Sequence, residues 1–90
     1  MTVVSRTVAV LNKRGLHARA SAKFVTLASG LAVPVEVEKD GGRVCGTSIM
    51  GLMMLGAAMG DTITISAEGE GADAAVAALA ELVEAKFGEE

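Results

Sequence analysis

Val33, Val35 and Val37 share one side of an extended chain and Pro34, Glu36 and Glu38 the other, and the alternation runs straight into Lys39-Asp40-Gly41-Gly42. A period of two with one apolar side marks a half-buried strand. The glycines supply the positive φ angles that a tight hairpin needs. Arg43-Val44-Cys45 therefore returns as a neighbouring antiparallel strand. A 90-residue chain committed to such a hairpin has to cover one face of its sheet with helices drawn from the rest of its length. Pro34 has no N–H to give to a ladder and marks the start of its strand or a sheet edge.

The remaining elements follow from the same change of period. Residues 2 to 11 are β-branched and alternating, which predicts a first strand ending in the turn Asn12-Lys13-Arg14-Gly15. From Ala20 the spacing becomes helical: Phe24, Leu27, Ala28 and Leu31 fall on one face, and Gly30 is placed to end the helix. Thr47 or Ser48 can cap a short second helix through Leu55, after which Gly56 to Gly60 return the chain. Thr62 to Ser66 alternates without exception and predicts a fourth strand. After the loop Glu68-Gly69-Glu70-Gly71, a last helix buries Ala75, Val76, Leu79, Leu82 and Val83. The order β-α-β-β-α-β-α defines an α+β fold, a single domain over residues 1–90 with an antiparallel sheet and its helices on one face. The hairpin makes one pair of strands neighbours; the other pairings stay open.

Composition removes several function classes. No apolar run approaches the ~20 residues that a membrane span requires, so membrane insertion is not expected. Met-Thr-Val-Val-Ser-Arg has strand character and not that of a signal peptide, which predicts a cytoplasmic protein. Cys45 stands alone, expected as a buried or half-buried thiol; with one His and one Cys there is no zinc cluster, and no cofactor or metal is expected on this chain. Two Phe, no Tyr or Trp and a pI near 5.1 argue against nucleic acid.

The chemistry concentrates in Gly15-Leu16-His17-Ala18-Arg19, at a strand-to-helix junction that holds the only histidine. A helix start offers unpaired N–H groups and the positive end of the peptide dipoles, so an anion on His17 would find donors waiting. Arg19 adds a planar, permanently charged donor fork. Residues 1 to 35 contain no acid but carry Arg6, Lys13, Arg14, Arg19 and Lys23. Residues 60 to 90 reverse this, with eight acids against Lys86. Imidazole is a good nucleophile and, once protonated, a good leaving group, which suits a group that must accept and release phosphate. No carboxylate or lysine near His17 and Arg19 is apparent that could act as acid or base, so an independent enzyme is not expected.

Gly15-Leu16-His17-Ala18-Arg19, then Ser48-Ile49-Met50-Gly51, then Gly60 to Ala67, in this order and spacing, resemble the signatures of HPr, the histidine-containing phosphocarrier family of the phosphoenolpyruvate phosphotransferase system. The resemblance covers nearly the whole chain and implies an open-faced sandwich of four antiparallel strands backed by three helices. It implies a stoichiometric phosphocarrier, a monomer, that accepts a phosphoryl group on His17 from enzyme I and passes it to an enzyme IIA in sugar transport. Arg19 would balance the phosphate charge, and any magnesium would sit on enzyme I. By the same resemblance Ser48, besides capping a helix, is a site of regulatory phosphorylation by HPr kinase/phosphorylase. Ile49, Met50, Leu52 and Met53 are candidates for partner docking, being part of a segment more apolar than one face of a short helix can bury. A proline commonly follows the arginine in this family, and here Ala20 stands in its place. The alternative is a regulatory binding module that acts through Ser48 and the adjacent apolar surface, with transfer at His17 secondary. A ferredoxin-like ligand-binding module shares the element order, and a metal chaperone would need a cysteine pair that this chain lacks.

Overall fold

The computed structural model describes residues 2 to 89. Strand β1 (Val3–Ala9), helix α1 (Ala18–Ser29), the hairpin β2 (Val35–Lys39) and β3 (Gly42–Cys45), helix α2 (Ile49–Met54), strand β4 (Thr62–Glu68) and helix α3 (Ala72–Glu84) follow one another. A short 3-10 turn at Lys86–Gly88 ends the order and has no counterpart in the sequence pattern. The sheet runs β1-β4-β2-β3, antiparallel throughout. β4 thus lies at the centre, pairing Val3 to Ala9 with Glu68 to Thr62 on one side and Val35 to Glu38 with Ala67 to Thr64 on the other. Pro34 marks the start of β2 and not an edge, since β2 is flanked by β4 and β3.

Alternation does what the pattern predicts. Val8, Val35, Val37, Ile63, Ile65 and Ala67 turn inward and are buried beneath Ala20, Phe24 and Ala28 of α1, Leu52 of α2, and Ala75, Val76, Leu79, Ala80 and Val83 of α3. Each large side chain so enclosed stabilises the fold by about 1.5–3 kcal/mol. The other face of the sheet is polar: Thr7 and Thr64 hydroxyls meet at 2.9 Å, and Arg43 reaches Glu36 at 3.1 Å and Glu38 at 3.4 Å. These exposed pairs stabilise little.

Several expectations need correction. α1 starts at Ala18, two residues before its apolar pattern, because Ala18 and Arg19 are exposed and carry no burial signal. In the hairpin the positive φ angles fall on Asp40 (50°) and Gly41 (86°), while Gly42 already belongs to β3. Glu68 ends β4 and is not loop, and Leu82 is half-buried beside a core made by its neighbours on α3. Cys45 is exposed, because a side chain at the end of an edge strand has nothing packed over it.

Candidate functional site

The site begins with a close backbone approach. Gly15 has φ +64°, and a Cβ there would lie 2.2 Å from the Ala57 carbonyl oxygen, so only glycine fits on both counts. The Leu16 N–H donates to the same oxygen at 3.0 Å, and Leu16 itself is buried. The loop after α2 is thereby clamped against the loop that leads into α1. Ser21, fully buried, donates its hydroxyl to the Leu16 carbonyl at 3.2 Å and fixes the loop from the helix side.

That clamp delivers His17 as the N-cap of α1, in extended conformation (φ −75°, ψ −179°). Nδ1 accepts the Arg19 N–H at 3.3 Å, a long bond for a cap. Nε2 meets the Glu89 carboxylate at 2.6 Å. The sequence pattern offered no carboxylate for His17; the correction is that one arrives from 72 residues away, placed by tertiary structure. The acidic C-terminal stretch and the basic N-terminal stretch, apart in sequence, meet here.

Glu89 is anchored in three ways. Phe87 is buried at the edge of the core, the Lys23 ammonium donates to the Phe87 carbonyl at 2.7 Å, and the Asn12 amide donates to the second Glu89 carboxylate oxygen at 3.1 Å. Lys86 and Phe87 adopt left-handed φ angles of 60° and 55° to bring the chain round. The hydrogen bond from His17 holds the Glu89 carboxyl below the usual carboxylate range, with the Asn12 bond and the charges of His17 and Lys23 acting in the same direction against partial desolvation.

Asn12, expected only as a turn residue, is fully buried. Its amide nitrogen serves the Gly15 carbonyl at 2.9 Å as well as Glu89. Both partners are acceptors, so the NH2 group must face them, and its own carbonyl is left buried with no partner among the described residues. Asn12 and Glu89 are the two site residues that sequence patterns missed.

Of the other candidates, the Arg19 side chain is exposed beside α1 and makes no ion pair among the described residues; its contact with His17 is through the backbone. Ser48, not Thr47, caps α2, its hydroxyl accepting the Gly51 N–H at 2.9 Å. Ile49, Met50 and Met53 are exposed, Met50 at 70%. Leu52 is fully enclosed in the core and is no docking residue, because a six-residue helix packed on the sheet turns one side inward and Leu52 occupies it. No three acidic, histidine or cysteine side chains among the described residues are grouped to hold a metal. No helix of the described residues is long and apolar enough to cross a membrane.

The family model described as the PTS HPr component phosphorylation site matches residues 4–85. The chain belongs to the HPr family. It is 43% identical to the phosphocarrier protein NPr of Shewanella violacea, over 99% of this chain and 98% of that one. The solved HPr of Thermoanaerobacter tengcongensis superposes with a TM-score of 0.89 at 47% identity, covering 100% of this chain and 99% of the other. A dimeric HPr from the same organism matches at a TM-score of 0.75 and 46% identity, over 91% and 94% of the two chains. Members of the family are phosphocarriers of the phosphotransferase system, and this chain is a phosphocarrier of that family, not an enzyme.

Proposed function

We propose that the chain carries its phosphoryl group on His17, taking it from phosphorylated enzyme I and handing it to an enzyme IIA. The observation that supports this most directly is the ring's position: Nδ1 lies over the first turn of α1, where it gives up only a long hydrogen bond to the Arg19 N–H. A phosphoryl group on Nδ1 would take over that N–H and the positive end of the helix dipole. Nε2 is occupied by Glu89 and is the poorer nucleophile in place. Arg19, exposed and uncommitted to an ion pair among the described residues, is free to swing toward the phosphate and balance its charge.

The exposed Ile49, Met50 and Met53 supply an adaptable apolar surface for the different partners a carrier meets. Phosphorylation of Ser48 by HPr kinase/phosphorylase would place about −2 charges at the start of α2, compatible with the helix but opposed to a partner seated on its exposed side. The protein works in the cytoplasm as a monomer, without a cofactor of its own; magnesium belongs to the reaction of enzyme I.

The test is incubation with enzyme I, magnesium and labelled phosphoenolpyruvate, comparing wild type with His17→Ala. Acid-labile, base-stable label on wild type alone is the expected result. No label with an active enzyme I and a folded protein would favour a binding module acting through Ser48.

A further inference from the structure

Glu89 is the one ionised group in contact with the His17 ring among the described residues, and its effect reaches beyond covering Nε2. The two bonds of the ring nevertheless define a single chemical form. Nδ1 accepts an amide N–H and so keeps its lone pair, while Nε2 faces a carboxylate and so carries the proton. At 2.6 Å this is a strong, charge-assisted hydrogen bond. It does not depend on a floppy side chain. Asn12 fixes the second carboxylate oxygen, and the buried Phe87 with Lys23 on its carbonyl fixes the backbone two residues away. The left-handed Lys86 and Phe87 show backbone conformations that such residues rarely adopt, retained here in a turn whose effect is to set Glu89 against the ring.

We propose that Glu89 is a positioning residue for phosphoryl transfer at His17: its carboxylate holds the ring proton on Nε2, leaves the lone pair on Nδ1, and neutralises the charge that the ring gains when Nδ1 is phosphorylated. The proposal rests on His17 being the phosphoryl acceptor. In the forward step the Nδ1 lone pair forms a P–N bond to the donor, a phosphohistidine or another phosphoramidate, whose own P–N bond breaks with its electron pair leaving on the donor nitrogen. The proton stays on Nε2, so the ring becomes a phosphoimidazolium facing Glu89. In the onward step the acceptor nucleophile takes the phosphorus, the P–N pair returns to Nδ1, and the neutral ring is restored with its proton where it began. The carboxylate acts through the ring and touches neither donor nor acceptor, as the buried aspartate of a serine-protease triad acts through its histidine.

Two measurements on one set of variants test this. Nitrogen-15 shifts of the ring, recorded on unphosphorylated, histidine-labelled protein at alkaline pH, are expected to show a pyrrole-like Nε2 and a pyridine-like Nδ1 in wild type. Glu89→Ala should move both toward a tautomer average, and Glu89→Gln should move them less. Uptake of phosphate from inorganic phosphoramidate, which needs no enzyme I, should slow about tenfold in Glu89→Ala and less in Glu89→Gln, with Glu89→Asp recovering part of the rate. His17 is the only histidine, so every phosphohistidine formed is at this site. Thermal midpoints of the same variants separate ring positioning from the stability that the Glu89 carboxylate contributes through Asn12 and His17. Ring shifts that do not change in Glu89→Ala, or equal uptake by all variants, would overturn the proposal and leave His17 as acceptor. A wild-type protein that takes no phosphate would overturn both.

Discussion

Two helices in this molecule start with a side chain that caps them, His17 and Ser48, and the two starts are built differently. Ser48 caps α2 with a 2.9 Å bond from the Gly51 N–H, the ordinary geometry of a serine cap. His17 caps α1 through a ring nitrogen at 3.3 Å, and the ring's firmest contact is on its far side, with Glu89 at 2.6 Å. The serine is spent on its helix. The histidine is held from behind and lightly engaged in front, so in the proposed transfer its forward nitrogen would exchange a backbone amide for a phosphoryl group without dismantling the helix. A cap that is easily given up suits the proposed carrier role of His17, whereas the well-made cap of Ser48 secures its helix.

The start of α1 is disrupted most severely at Gly15. Gly15→Ala combines φ +64° with a Cβ 2.2 Å from a backbone oxygen, so urea denaturation should show a loss of at least about 2 kcal/mol. The loop that places His17 should lose its amide protection in the same variant. On the other helix, the inward and outward sides of α2 should separate: Leu52→Ala should cost about 2–5 kcal/mol. Met50→Gln, at 70% exposure, should leave stability within about 0.5 kcal/mol and weaken binding to enzyme I. A Met50→Gln variant that binds enzyme I normally would remove Met50 from the docking surface.

Ser48→Ala should cost about 1 kcal/mol from its lost cap and leave the rate of uptake at His17 unchanged; a fall in that rate would mean that the two helix starts are not independent. The Glu89 carboxyl has its folded value depressed from 4.5, so its contribution is present above that value and is lost as pH falls through the lower, folded one. Amide protection around Phe87, taken relative to intrinsic exchange, should therefore fall as pH drops through that folded value, and Glu89→Gln should flatten the dependence. The smallest effect expected is at Ala20, in the first turn of α1, where proline is tolerated: Ala20→Pro should phosphorylate at nearly the wild-type rate. A large gain would show that the turn is too loose without the ring.

What was legible in the sequence is what local periodicity can encode. β2, β4 and α3 announced themselves because their buried residues recur every two or every three to four positions. The hairpin was marked by its turn residues, and His17 by its place at a helix start. The strand order β1-β4-β2-β3 was not legible, because the two pairings that make β4 central join segments far apart in the chain. The meeting of Glu89 with His17 was hidden for the same reason, and further by Lys86 and Phe87, whose left-handed conformations no residue preference suggests. Asn12 looks like a turn residue and is one, bonded to the Gly15 carbonyl of its own turn, but its second partner, the Glu89 carboxylate, arrives from the far end of the sequence. Leu52 sits among residues of similar hydrophobicity, and only the way α2 lies on the core distinguishes it from Met50 and Met53.

In the proposed transfer the phosphoryl group sits on Nδ1 of His17, the nitrogen that faces the start of α1. Phosphorus-to-nitrogen coupling in histidine-labelled protein, phosphorylated by enzyme I and phosphoenolpyruvate, tests it directly. Coupling is expected at Nδ1, together with a downfield shift of the Arg19 amide as it turns from ring to phosphate. Coupling at Nε2, with the Arg19 amide unmoved, would contradict it.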